Sequence, residues 1–386
     1  MSSSEWKKTV WGEIATLEYG KSLRDYKGSE GDVPVYGTNG QIGFTDKPLC
    51  KIPSVIIGRK GAYRGVHYSA SPFFVIDTAF YLKPKVEGLD LKYAYYHLLT
   101  QDINSMDSGS AIPSTSREDF YNLEISLPPL ETQKRIVNIL SALDEKIELN
   151  RQTNQTLEAI AQAIYKEWFV NFNFPRATGE MQESELGPIP QGWRVGKLEE
   201  CFDFLEGPGL RNWQYKPEGI RFINIRLINN NDIDIAKANF ISEEEAKSKY
   251  SHFLLKPRDM VVSTSGTLGR TAIVRESHLP LMLNTSVIRF RPVDSALYSF
   301  MYQFLQSDFF YKELTAHAAG SVQLNFGPSH LKRIMMIIPP IQIIEQYAQN
   351  VSDLYSKMGL ILDENQSLGL IRDGLLPRLM NGEIEV

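Results

Sequence analysis

The chain has 386 residues, 42% hydrophobic and 23% charged, which is ordinary globular usage with room for two or three domains. Its net charge of −5 argues against a uniformly basic nucleic-acid binder, and its longest apolar stretch, residues 334–344, is about half the ~20 residues of a membrane span and holds two prolines. Cys50 and Cys201 lie far apart, too few and too remote for a structural zinc site, and no apolar targeting segment follows the SSSEWKK start, so the expectation is a reduced, cytoplasmic protein with no membrane role.

In chain order, residues 1–128 form a first mixed domain. PSVIIGRKG (53–61) and PFFVIDTAFYLKP (72–84) are short β-rich runs bounded by Gly, Pro and Asp, and LKYAYYHLLTQDI (91–103) follows as a helix. Residues 129–175 then predict a long helix, because Ile136, Leu140, Leu143, Ile147, Asn150, Asn154, Leu157, Ala161, Ile164 and Trp168 alternate at steps of four and three. A 3.5-residue stripe held this long is a coiled-coil seam. After a linker at 176–192, residues 193–339 repeat the β-rich pattern in RDMVVSTSGTLGRTAIV and LMLNTSVIRFRP, with a helix over SALYSFMYQFLQSDFF. The last segment, 340–386, carries a second seam: Tyr347, Val351, Leu354, Met358, Ile361, Asn365, Leu368, Arg372, Leu375 and Leu379. The two helices are expected to pair as an antiparallel coiled coil, with Asn154 and Asn365 fixing its register and Pro377 ending or kinking the second helix. Arg372, opposite Ala161 in the repeat, marks a place where the seam opens or meets another protein.

The chain is internally duplicated. Residues 109–169 align with 320–380 at a constant offset of 211, placing Leu127-Pro128-Pro129 on Ile338-Pro339-Pro340, and the N-terminal WKKTVWGEIATLEYG aligns with WRVGKLEECFDFLEG at an offset of 187. The second half thus carries 24 extra residues, expected mostly around 221–250. The fold class is α+β: two such domains separated by two long helices, related by a pseudo-twofold repeat.

Charge summed by segment qualifies the acidic total, since residues 1–128 hold 14 basic and 15 acidic side chains and 193–339 hold 18 and 15. Acid-free runs carry Arg59, Lys60 and Arg64 in the first domain, Arg289 and Arg291 in the second, and Lys332 and Arg333 further on. Such runs can form local basic patches that neutralise phosphates; solvated loop charge is the plainer alternative.

No arrangement of residues points to catalysis. The six histidines form no HxxxH spacing, and Gly58–Gly65 and Ser265–Gly269 fit neither the P-loop nor the dinucleotide pattern. Asp234 with Glu245 and Lys247 resembles the acid-plus-ExK arrangement of divalent-metal nucleases, but Ser242–Glu245 reads equally as a helix-capping box. Recognition chemistry is better represented. Tyr36, Thr38, Asn39 and Gln41 offer amide and hydroxyl groups that read base edges, and Arg59, Lys60 and Arg64 flank a Gly-rich loop able to approach phosphate. Turn chemistry explains Asn39-Gly40 as well. Ser110, Arg211, Gln214, Tyr215, Thr264, Ser265, Thr267, Gln323 and Asn325 complete the candidate DNA-binding set.

The junction QESELGPIPQGWRVGKL (182–198), the closing DGLLPRLMNGEI (373–384) and LPPLETQKRIVNIL (127–140) resemble the specificity subunit of Type I restriction-modification systems. That resemblance covers essentially the whole chain. It implies a non-catalytic subunit whose two target-recognition domains each bind half of an asymmetric, bipartite double-stranded DNA site, with the helices setting the spacer. It further implies two methyltransferase subunits and motor-nuclease restriction subunits as partners, with S-adenosylmethionine, ATP and Mg²⁺ held by them and no cofactor in this chain. A specificity subunit of a related system with a fused methylase-nuclease partner is the alternative within this class.

Overall fold

The computed structural model describes residues 6–107, 112–318 and 326–386. It divides into two compact units, Met1–Leu149 with Gln366–Val386, and Asn150–Asn365. Among the described residues no helix is long and apolar enough to cross a membrane.

In the first unit, strands β1 (Lys7–Val10), β2 (Ala15–Tyr19), β3 (Val33–Gly37), β4 (Gly40–Thr45), β5 (Ser54–Gly58), β6 (Val66–Ser69), β7 (Phe74–Val75) and β8 (Ala79–Pro84) precede helix α1 (Leu91–Leu99) and strand β9 (Glu124–Leu127). Helix α2 (Leu130–Phe169) begins here and ends in the second unit. The main sheet has the order β2-β8-β5-β6, β3 pairs with β4 and β7, and β1 pairs with β9. All five residues of β5 are buried because both its faces are covered. Val55 and Ile57 join a core with Trp11, Tyr93 and Leu98, whereas Ile56 points the other way onto Phe73 and Val75. Asp90 starts α1 by accepting from Lys92 N and Tyr93 N.

The second unit contains β10 (Arg194–Lys197), β11 (Phe202–Glu206), β12 (Ile220–Phe222), β13 (Ile228–Asn229), β14 (Asp232–Ile233), β15 (Asn239–Ile241), helix α3 (Glu243–Lys247), β16 (Met260–Ser263), β17 (Thr271–Ile273), β18 (Leu281–Met282), β19 (Val287–Pro292), helix α4 (Tyr298–Leu305), β20 (Met335–Ile338) and helix α5 (Ile341–Met380), which ends in the first unit. Its sheet order β11-β19-β16-β17 and its β10–β20 pairing repeat the first unit strand for strand. Even the exit from the first sheet strand is shared. Gly20 N donates to Ala79 O and Gly207 N to Val287 O. A Cβ on Gly20 would lie 2.0 Å from Ile76 O, and one on Gly207 2.4 Å from Asn284 O, so backbone crosses backbone too closely for any side chain. Strand pairing makes Arg221 the counterpart of Val35 and Ser263 that of Gly58. The offset therefore grows from 186 to 205 between β12 and β16; β15 pairs with β12 as β4 does with β3, and the extra residues form the β13–β14 hairpin and α3.

Both long helices are 40 residues. Within each unit their halves run antiparallel. In the first, Ile136 and Leu140 share a core with Leu379 and Met380, and Arg372 donates to Asp144 Oδ1 at 2.9 Å. In the second, Tyr165, Trp168 and Phe169 meet Tyr347, and Asn150 Nδ2 donates to Asn365 Oδ1 at 2.9 Å and to Glu364 Oε2 at 2.7 Å. Three expectations are modified. Arg372 is answered by Asp144 inside its own unit. The helix runs through Pro377 to Met380. Asn365 pairs with Asn150 rather than with its repeat, Asn154, because antiparallel helices bring non-equivalent positions together. The residue repeating Asn150 is Ile361, and Asn154 instead donates to Met358 O at 3.3 Å, with its Oδ1 buried and unpaired.

Candidate nucleic-acid interface

In the first unit three loops converge at one end of the main sheet. The β5–β6 loop is closed by Gly58 N donating to Gly65 O at 2.8 Å, and the β3–β4 tip is stitched to it by Gly65 N on Thr38 O at 3.1 Å. The Thr38 hydroxyl is shared between Lys60 O and Thr78 O, 2.8 Å from each. Gly61 N donates to Pro113 O and Thr115 N to Arg59 O, both at 2.9 Å, which adds the segment beginning at Ile112. Asn39, with its amide turned to donate to Tyr63 O at 2.9 Å, links tip and loop again. Predicted residues from separate parts of the sequence are thereby gathered: Tyr36, Thr38, Asn39, Gln41, Arg59 and Lys60.

Their roles differ. Asn39 and Gln41 are exposed, whereas Tyr36 is half-buried edge-on against Phe73. Arg59 lies 4.8 Å from the Tyr19 ring centre and donates to Asp77 O, and Lys60 stands 3.9 Å from Asp77. Arg64 is 2% exposed, and its guanidinium donates to Gly61 O, Ile103 O and Asn104 O. It is therefore a buried brace for the loop, not the phosphate-facing cation expected from the sequence. Ser110 lies outside the described residues.

The second unit repeats the scaffold with other side chains. Ser263 N donates to Arg270 O, Thr264 N to Ser286 O and Phe326 N to Thr264 O, matching in turn the bonds of Gly58, Arg59 and Thr115. Thr267 is exposed and Ser265 half-exposed, but Thr264 is fully buried. Arg270, at the position of Gly65, donates to Ile228 O at 3.1 Å and Asn229 Oδ1 at 3.0 Å. Thr285 N bonds Pro208 O and places the 208–215 segment beside Ser286. Within that segment Arg211 is exposed, Tyr215 stacks on Phe222, and Gln214 is buried with its amide on Glu245 Oε1 at 2.5 Å. Gln214 therefore packs the domain and leaves the set, as does Thr264. Gln323 and Asn325 lie outside the described residues, next to Phe326.

The acid-free run that carries Arg289 and Arg291 does not become a patch, because Arg289 pairs with Asp203 at 2.5 Å and Arg291 with Asp259. Acids distant in sequence meet them across the sheet. The nuclease-like trio is also dispersed among other partners: Asp234 pairs with Lys237, Lys247 with Glu243, and Glu245 accepts from Gln214. Among the described residues no group of three His, Cys, Asp or Glu side chains is placed to hold a metal.

Sequence reasoning missed several surface groups. Tyr63 is 68% exposed on the braced loop. Arg117 lies 5.1 Å from the other partner of Arg59, the Tyr19 ring, and the Tyr121 hydroxyl raises its pKa. Trp213, between the candidates Arg211 and Gln214, is 75% exposed. The duplication offered a signal for Arg270, since it falls opposite Gly65; nothing local marked Arg117.

The family model described as the Type I restriction modification DNA specificity domain matches residues 3–159 and 190–369. The chain is 27% identical to the Type I restriction enzyme MjaIX specificity subunit of Methanocaldococcus jannaschii over 98% of this chain and 89% of that one. It is 26% identical to the HindI specificity subunit of Haemophilus influenzae, covering 70% and 71%. Among solved structures, the Type I restriction-modification S subunit from M. genitalium has the same fold, with a TM-score of 0.61, 20% identity and coverage of 97% and 96%.

Proposed function

The chain belongs to the Type I restriction-modification DNA specificity family, and on that premise we propose that it reads an asymmetric bipartite DNA site, one half-site per unit, in the cytoplasm and without catalysing a reaction itself. The observation that carries this reading is the repeated loop scaffold bearing unlike side chains. Asn39, Gln41, Arg59, Lys60 and Tyr63 stand where the second unit presents Ser265, Thr267 and Arg270, so the two surfaces select different sequences. Exposed amides and hydroxyls suit base edges, and the cations suit phosphates.

The paired helices set the spacer. Each is about 60 Å long at ~1.5 Å per residue, more than one ~34 Å turn of duplex. Matched exposed aliphatics support two copies of one partner: Leu149 and Ile371 in the first unit recur at the repeat offset as Leu360 and Ile160 in the second. We assign these pairs to two methyltransferase subunits, to which restriction subunits add.

The test is to map methylated adenines in DNA from cells expressing the full chain with its methyltransferase. The expected result is one motif of two unlike half-sites at a fixed spacing. A continuous short motif, or DNA cleavage by the chain alone, would overturn the proposal.

A further inference from the structure

The inserted hairpin of the second unit is fastened to helix α5 by charged groups. Arg275, whose side chain is 9% exposed, donates through Nη1 to Asp232 Oδ1 at 2.5 Å and through Nε to Asp363 Oδ1 at 2.7 Å. Ser277 Oγ donates to the same Asp363 oxygen at 2.6 Å. His278 is wholly buried; its Nδ1 accepts from Arg275 N, and its Nε2 lies 3.3 Å from Asp232 Oδ1. Asp232 belongs to β14, in the insertion without counterpart in the first unit, and Asn231 beside it donates to Gln306 just beyond α4. On its other strand, β13, the hairpin receives Arg270 from the candidate reading loop.

From this geometry we infer that the insertion is a strut that fixes the angle of the second recognition domain on α5, making Arg275, Asp232, Ser277 and Asp363 positioning residues for the length of the DNA spacer. The inference rests on the proposed DNA-reading function.

An apolar core alone holds a domain but resists rotation weakly, because dispersion and burial have little directionality. The domain's apolar attachment centres on Tyr347, Val351 and Tyr355 of α5. Asp363 lies twelve residues beyond Val351, the middle of these, about 18 Å along the helix at ~1.5 Å per residue. A second, directional anchor at that distance resists rocking about the first. The leverage is sufficient to matter: a domain of this size is roughly 20 Å in radius, so a tilt of about 10° moves its reading loops by about 3.4 Å, the rise of one base pair. A bidentate guanidinium with carboxylates on both the hairpin and the helix tolerates little of that motion.

Asp363 is half-exposed, so replacing it leaves the core intact. Methylated sites are mapped for the full chain with its methyltransferase, comparing wild type with Asp363→Ala, Asp363→Glu and Ser277→Ala/Asp363→Ala. The alanine variants should show about a tenfold rise in methylation at sites whose spacer is one base pair longer or shorter, the equivalent of losing one charge-assisted hydrogen bond. Both half-site sequences should be unchanged, and Asp363→Glu should restore the single spacer. A single unchanged spacer in the alanine variants overturns the inference, as does a changed half-site sequence or equal loss of methylation in the alanine and glutamate variants. Absence of a bipartite motif in the wild type would instead overturn the DNA-reading proposal itself.

Discussion

Replacing Arg64 by methionine tests whether an arginine in a Gly-rich loop braces the loop or touches DNA. Methionine keeps most of the buried stem and removes every guanidinium donor, while the Arg64 backbone N–H stays on Asn104 Oδ1. Three carbonyls lose a partner: Gly61 O at 3.1 Å, Ile103 O at 3.4 Å and Asn104 O at 2.7 Å. Hydrogen bonds to a charged group contribute about 1.5–3 kcal/mol each, but the Ile103 contact is long and Arg64 Nε is buried without a partner, which offsets part of the gain. The net loss should be about 2–4 kcal/mol, local to the loop. Global unfolding reports on a whole unit and is a poor gauge of a change confined to one loop. Amide hydrogen exchange at Gly58, Gly61 and Gly65 reads the loop directly and should accelerate about 30- to 1,000-fold. Arg59→Ala should behave oppositely, leaving exchange nearly unchanged and lowering by about 0.9 the slope of log affinity for DNA against log salt, the signature of one phosphate contact. If Arg64→Met flattened the salt slope and left loop exchange unaltered, the assignment of Arg64 as a brace would be refuted.

Three further outcomes are expected. In denaturation of the full chain, Asn150→Leu should cost about 1–3 kcal/mol, and Asn150→Leu with Asn365→Leu should cost less than the sum of the single changes by about 1 kcal/mol, since the double change removes both polar partners; additivity within ~0.3 kcal/mol would deny a pairwise bond. Glu158 is buried, which raises its carboxyl pKa despite hydrogen bonds from Gln303, Gln162 and Tyr302. Because the folded state then holds its proton more tightly, stability falls as pH rises from the ordinary carboxylate range through the raised value. Glu158→Gln should therefore stabilise the chain by about 1 kcal/mol at neutral pH in thermal melts, with the difference vanishing at acid pH. Leu149→Glu with Leu360→Glu should abolish co-purification of the methyltransferase while leaving the circular dichroism spectrum unchanged; retained co-purification would remove these positions from the docking surface.

The frame of the fold was legible because its determinants are local or periodic. A 3.5-residue stripe fixed both helices, and one offset exposed the shared entry strands, where the requirement for Gly20 and Gly207 is steric. Side-chain roles were less legible because they depend on distant chain. Arg59 and Arg64 share one loop and one chemistry, and only the arrival of Ile103 and Asn104 buries the second. Likewise Asp203 and Asp259 convert an apparently basic stretch into paired strands. The seam asparagines were visible, but antiparallel pairing matched Asn365 with Asn150, a partner that repeat equivalence cannot supply.

The loops of the two units hang from the same three main-chain hydrogen bonds, although these join Gly58 to Gly65, Arg59 to Thr78 and Thr115 to Arg59 in one and Ser263 to Arg270, Thr264 to Ser286 and Phe326 to Thr264 in the other. Bonds between peptide groups are indifferent to what the side chains are. Segments 59–65 and 264–270 have equal length between equivalent attachment points. The fastening thus leaves side-chain identity free, so one main-chain frame carries a loop braced by Arg64 in the first unit and a loop tied by Arg270 to its own inserted hairpin in the second.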